Sequence, residues 1–145
     1  MDVVGKLELS DSSECVFYVQ EFRGRTFGSI RKFVDSEVYS GPTKNGVVLN
    51  EDGIGELVEM LGKLPQEKME DKELGKVQEQ DGKFIMVQVN TFREEQALDI
   101  REYVDTETYS GPTKKGIRIP IGSVKDVIGY LGAMKDKLKE KSAGK

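Results

Sequence analysis

The chain has 145 residues, a formal net charge of −4, and 33% charged against 37% hydrophobic residues. It contains no histidine and a single cysteine, Cys15, which leaves no zinc site, no Cys/His or Ser/His nucleophile and no internal disulfide. The acidic balance argues against indiscriminate nucleic-acid binding, so the local placement of cations has to decide that question.

No apolar run approaches the length of a membrane span, and the N-terminus lacks a signal-peptide pattern. An intracellular protein is expected, cytoplasmic or nucleoid-associated. The carboxylates recur in no spacing that reads as a catalytic pair, so neither an enzyme nor a cofactor is expected. Cys15 reads as a small core residue, and its counterpart in the repeat described next is Ile85.

The elements are read twice, because residues 4–64 recur without a gap as residues 74–134. At this constant offset of seventy, 20 of the 61 aligned pairs are identical. Val4–Leu9 and Leu74–Glu79 read as short first strands. Cys15–Phe22 and Phe84–Phe92, rich in β-branched and aromatic residues, read as the second. In the third, Phe27–Asp35 and Leu98–Asp105, Ile30 and Ile100 alternate with Arg31, Phe33 and with Arg101, Tyr103. One face is therefore buried, and the other presents a guanidinium beside an aromatic ring.

Ser36–Asn45 and Thr106–Lys115 read as loops dense in Ser, Thr, Gly and Pro, with Gly46 and Gly116 opening the fourth strands. The helices come last. Ile54, Leu57, Val58 and Leu61 form an apolar stripe that Val124, Val127, Ile128 and Leu131 repeat position for position. Asn50 is placed as a first N-cap, and Ser123 with Asp126 as a capping box.

The boundaries are residues 1–64 for the first repeat, 65–73 for a charged linker, 74–134 for the second repeat and 135–145 for a lysine-rich tail, which begins as a candidate extension of the second helix and has a frayed end. A copy of about sixty residues is marginal alone. The expected architecture is therefore α+β: two ββββα repeats sharing a core as a pseudo-dimer within one chain. Ile54, Leu57, Leu61, Val124, Val127 and Leu131 are its expected helical core.

Asp99-Ile100-Arg101-Glu102-Tyr103, continued by Gly111-Pro112-Thr113-Lys114-Lys115-Gly116-Ile117, resembles the family of the transcriptional coactivator positive cofactor four. Repeat 1 has a weaker version, Ser29–Phe33 and then Gly41–Val47. PUR-type repeats share the strand and helix order and fit these motifs less well. The resemblance implies that each repeat is a curved four-stranded antiparallel sheet plus one helix, and that single-stranded DNA binds on the exposed sheet faces. It places Phe22 and Phe92 at a stacking position, and Arg23, Arg25, Arg93, Arg31, Arg101, Lys44, Lys114 and Lys115 at basic contact positions. The family's tryptophan corresponds to Val34 and Val104, and Tyr39 and Tyr109 are candidate substitutes for it. Glu94-Glu95 stands where repeat 1 has Gly24-Arg25.

These residue types suit the chemistry independently, because a single strand exposes base faces and phosphates together. Three readings result. The first is a single-stranded DNA-binding transcription cofactor, with the transcription machinery as partner. The second is a single-stranded RNA binder. The third is an acidic protein-interaction module that kept the fold and lost nucleic-acid binding. Further dimerisation of the fused pair stays open.

Overall fold

The computed structural model describes residues 1–65 and 69–143. The middle of the charged linker and the Gly144-Lys145 end, where fraying was expected, lie outside the described residues. The first sheet is an antiparallel meander of β1 (Asp2–Ser10), β2 (Ser13–Phe22), β3 (Arg25–Asp35) and β4 (Ser40–Leu49), followed by α1 (Glu51–Gly62). The second repeats it with β5 (Lys72–Gln80), β6 (Lys83–Phe92), β7 (Glu95–Asp105) and β8 (Ser110–Pro120). A 3-10 turn, Ile121–Ser123, then leads into α2 (Val124–Ala143). The two ββββα repeats are thus both present.

The fourth strands begin six residues before Gly46 and Gly116, inside the segments that read as loops. The ladder absorbs Pro42 and Pro112 by losing register. Phe33 pairs with Pro42 and Arg31 with Gly46, so Lys32 alone faces the three residues between. A proline cannot donate to the ladder. The Thr43 hydroxyl fills the gap, donating to the Lys32 carbonyl at 2.8 Å and accepting from the Asn45 amide at 3.1 Å. Thr113 does the same with Glu102 and Lys115.

Asn50 caps α1 as expected, its side-chain oxygen accepting from the Gly53 amide at 2.7 Å. Ser123 instead lies in the 3-10 turn, and α2 starts one residue later.

The helices are exchanged between repeats. α2 lies across β1, β2 and β3 of the first sheet, while α1 packs on β5 of the second. Tyr130 of α2 sits over Gly5, its ring centre 5.2 Å from that of Phe17. Met134 fills the space above Gly28. On the other side Met60 of α1 covers Gly75. The two helices touch each other, and β4 lies beside β8. One core results, in which Ile54, Leu57, Leu61, Val127 and Leu131 are buried with Phe17, Ile30, Leu98 and Ile100. Val124 packs at its margin, half-exposed.

The tail begins as the helix extension that its sequence offered, and residues 135–143 all continue α2. Met134 and Leu138 extend the Val127–Leu131 stripe into the core, and Lys141 pairs with Asp2 at 3.0 Å. The end of the linker is fastened as well. Gln96 and the Met69 backbone bond each other in both directions, and Asp71 accepts from the Thr91 amide and hydroxyl at 3.0 and 2.8 Å. A further bond from Gln96 Nε2 to Asp71 at 3.1 Å, together with those from Thr91, holds the Asp71 carboxyl below the usual carboxylate range.

Candidate nucleic-acid interface

Alternation along the third strands puts Ser29, Arg31 and Phe33 on the face opposite the core, and Asp99, Arg101 and Tyr103 likewise. Neighbouring strands add Tyr18 and Gln20 in the first sheet, and Phe84, Gln88 and Asn90 in the second.

In the first sheet the Arg31 guanidinium is held by neutral acceptors. Nε donates to Tyr18 Oη at 3.3 Å and Nη1 to the Thr43 carbonyl at 2.9 Å. Phe33 meets the Tyr18 ring edge-on, with centres 5.9 Å apart. In the second sheet Arg101 makes the matching bond to the Thr113 carbonyl at 3.1 Å. Its other two nitrogens, however, engage the Asp99 carboxylate at 3.2 and 3.4 Å. Phe84 and Tyr103 stack with centres 5.5 Å apart, and Lys76 caps Phe84 at 4.5 Å.

Phe22 and Phe92 sit at the ends of the β2–β3 and β6–β7 hairpins, each 62% exposed, so neither ring belongs to the core. Both hairpins turn through two residues with positive φ, as a twisted two-residue turn demands: Arg23 (52°) and Gly24 (79°), then Arg93 (52°) and Glu94 (67°). The turn folds Arg23 back over Phe22 and Arg93 back over Phe92, each guanidinium carbon 5.2 Å from the ring centre. Arg25 is exposed opposite Phe22, and Glu95 occupies its place opposite Phe92.

Tyr39 and Tyr109 are half-exposed but fixed, their hydroxyls donating to the Pro42 and Pro112 carbonyls at 2.6 Å. Each ring lies against Gly41 or Gly111, whose φ of 142° or 149° favours glycine. Val34 and Val104 are half-buried and offer no platform.

The junction of the repeats opens two related grooves. The first, about 510 Å³, brings Arg31, Thr43 and Lys44 of repeat 1 to Lys83, Phe84 and Lys115 of repeat 2. The second, about 760 Å³, brings Arg101, Arg118 and Phe92 to Ser13, Lys32 and Asn45. Arg31 and Arg101 therefore line separate grooves, each built from both repeats. Lys114 is exposed but lines neither. Among the described residues, Arg25, Lys44, Lys114 and Lys115 form no ion pair.

Sequence reasoning passed over Tyr18, Phe84 and Lys76. Period-two alternation from Arg31 and Arg101 across the registered strands would have placed Tyr18 and Phe84 on this face.

Residues 80–129 match the family described as Transcriptional Coactivator p15 (PC4). No curated protein sequence matches the chain. Among solved structures, WHY3 from Arabidopsis thaliana is 10% identical at a TM-score of 0.45, with 96% of this chain and 89% of that one covered. The plant transcriptional regulator PBF-2 is 8% identical at a TM-score of 0.39, with 97% and 88% covered. The similarity to that family thus lies in the second ββββα unit, from the end of β5 through β8 to the start of α2, and the first unit repeats the same order of strands and helix.

Proposed function

We propose that this chain binds single-stranded nucleic acid, DNA in preference to RNA, as a transcription cofactor. The family match on residues 80–129 supports nucleic-acid binding and a role in transcription in general terms. One structural observation carries the finer reading. Arg31, Lys44 and Lys115 converge on one groove, and none of them has a carboxylate partner among the described residues. An anionic strand is the ligand that uses three uncompensated cations on an otherwise acidic protein.

The mechanism is stacking plus phosphate neutralisation, with no bond made or broken. The exposed Phe22 and Phe92 offer platforms, each worth about 1–3 kcal/mol per stacked base. Arg23, Arg25 and Arg93 surround those rings, and Tyr39 and Tyr109 stand beside the bulged fourth strands as further rings. Duplex DNA hides its base faces and is the poorer ligand.

The test is a titration of a fluorescent single-stranded oligonucleotide, and of the same sequence as duplex, at two salt concentrations. Tighter single-strand binding is expected, with a log–log salt slope of about −0.7 per phosphate contacted. Equal affinity for duplex, or no binding at low salt, would favour the acidic protein-interaction module.

A further inference from the structure

Resting on that reading, we propose that the two grooves are unequal. Asp99 acts as a built-in counter-ion that withholds Arg101 from phosphate, so that a strand is gripped chiefly through the Arg31 groove.

The two arginines occupy equivalent positions and share one contact, to the bulge threonine carbonyl. They differ in what lies two residues before them on the same face of the strand. Repeat 1 has Ser29 there, and repeat 2 has Asp99. Asp99 is only 3% exposed, and it engages Arg101 through both carboxylate oxygens. Gln88 donates to the same carboxylate at 3.4 Å. A buried carboxylate held in this way cannot swing aside for an incoming anion. A phosphate approaching Arg101 meets a guanidinium with three donors engaged and its charge compensated.

Arg31 has no such competitor. Its partners, the Tyr18 hydroxyl and the Thr43 carbonyl, orient the guanidinium without neutralising it. The surroundings bias the grooves the same way. Lys115 lines the Arg31 groove, whereas its repeat counterpart Asn45 lines the other. Each groove also holds one carboxylate, Glu95 in the Arg101 groove and Glu102 in the Arg31 groove, and Glu102 is paired with Lys83 at 3.6 Å.

The experiment measures binding of a fluorescein-labelled single-stranded thymidine oligonucleotide at low salt. The proteins are the full chain and its Arg31→Gln, Arg101→Gln, Asp99→Asn and Ser29→Asp variants, plus the Asp99→Asn/Arg101→Gln double variant. Arg31→Gln should weaken binding about 10-fold and Arg101→Gln by less than about 2-fold. Asp99→Asn should strengthen binding about 3- to 10-fold, and the added Arg101→Gln should remove that gain. Ser29→Asp, which installs the counter-ion in repeat 1, should weaken binding.

Equal losses from the two arginine variants overturn the inference alone. So does a natively folded Asp99→Asn protein with unchanged or weaker binding. Should Asp99→Asn not fold, the arginine pair and Ser29→Asp decide the matter. A native chain that fails to bind beside an Asp99→Asn variant that binds supports the inference. Failure of both overturns the inference together with the function proposed above.

Discussion

The ring of Tyr130, in the last helix, lies directly on Gly5, in the first strand, and leaves no room there for a Cβ. The Tyr130 hydroxyl also donates to the neighbouring Lys6 carbonyl at 3.4 Å. Two ends of the chain are thereby fastened together, and the contact exists only because α2 crosses to the other repeat's sheet. A methyl group at Gly5 must displace the ring. Gly5→Ala is therefore expected to destabilise the fold by about 1–3 kcal/mol. Urea unfolding should show the midpoint falling, and Tyr130→Leu should recover part of the loss in the Gly5→Ala background.

Helix exchange also decides what a fragment can do. Residues 1–64 carry sheet 1 without α2, so Phe17, Ile30 and Gly28 lose the cover of Tyr130, Leu131 and Met134. That fragment should show no cooperative unfolding transition as a monomer, and Leu131→Ala in the full chain should cost about 2–5 kcal/mol. A stable, monomeric 1–64 fragment in circular dichroism and sedimentation would contradict a shared core.

Much of this fold is legible in the residues, and the illegible parts have identifiable causes. The duplicated stripes announce two helices and their buried faces, but a stripe does not say which sheet it meets, so the exchange is invisible. Gly-Pro-Thr reads as loop because proline and glycine punctuate chains, and the threonine that lets a bulged strand accept them is a tertiary device. Lysines at 135, 137, 139 and 141 mask the continued spacing of Leu131, Met134 and Leu138. At the interface, Arg31 and Arg101 look alike in sequence. Their difference lies in Ser29 and Asp99, two residues earlier on the same face, a juxtaposition that strand alternation does disclose.

The two hairpins give a test of backbone strain. Glu94 adopts a φ of 67°, where the equivalent residue of repeat 1 is Gly24 at 79°. A side chain in the left-handed region costs about 1–2 kcal/mol, part of which glycine gives back through a freer unfolded chain. Glu94→Gly should raise stability by about 0.5–1 kcal/mol and shift the thermal midpoint upward. A lower midpoint would mean that Glu94 makes a contact worth more than its strain.

Cys15 lies wholly inside the core, and burial pushes its thiol up to about 12. An unfolded chain would ionise it near 8.5. Raised in the folded state, the thiol contributes stability that is full below the unfolded value. That contribution is lost progressively as pH rises from about 8.5 toward 12. Cys15→Ser or Cys15→Ala should flatten this alkaline loss in urea midpoints measured across that range. In the native protein at pH 8, thiol labelling should proceed no faster than unfolding.

The hairpin ends supply the most direct test of where a strand runs. Phe22 and Phe92 are equally exposed and equally covered by the arginine that follows them. Their cross-strand neighbours are opposite in charge, Arg25 in one and Glu95 in the other. Arg25 has no ion-pair partner among the described residues, while Glu95 lines the groove that holds Arg101 and Arg118. A phosphate beside Phe22 therefore meets reinforcing charge, and one beside Phe92 meets opposition. Arg25→Glu should weaken binding of a single-stranded oligonucleotide and shrink its salt slope by about 0.7. Glu95→Arg should strengthen binding and steepen the slope by a similar amount, about 0.7. The fold should be indifferent to both, since each side chain is exposed, and thermal melts will show whether it is. If neither substitution moves the affinity or the slope, the strand does not pass these hairpins, and Phe22 and Phe92 are not its stacking platforms.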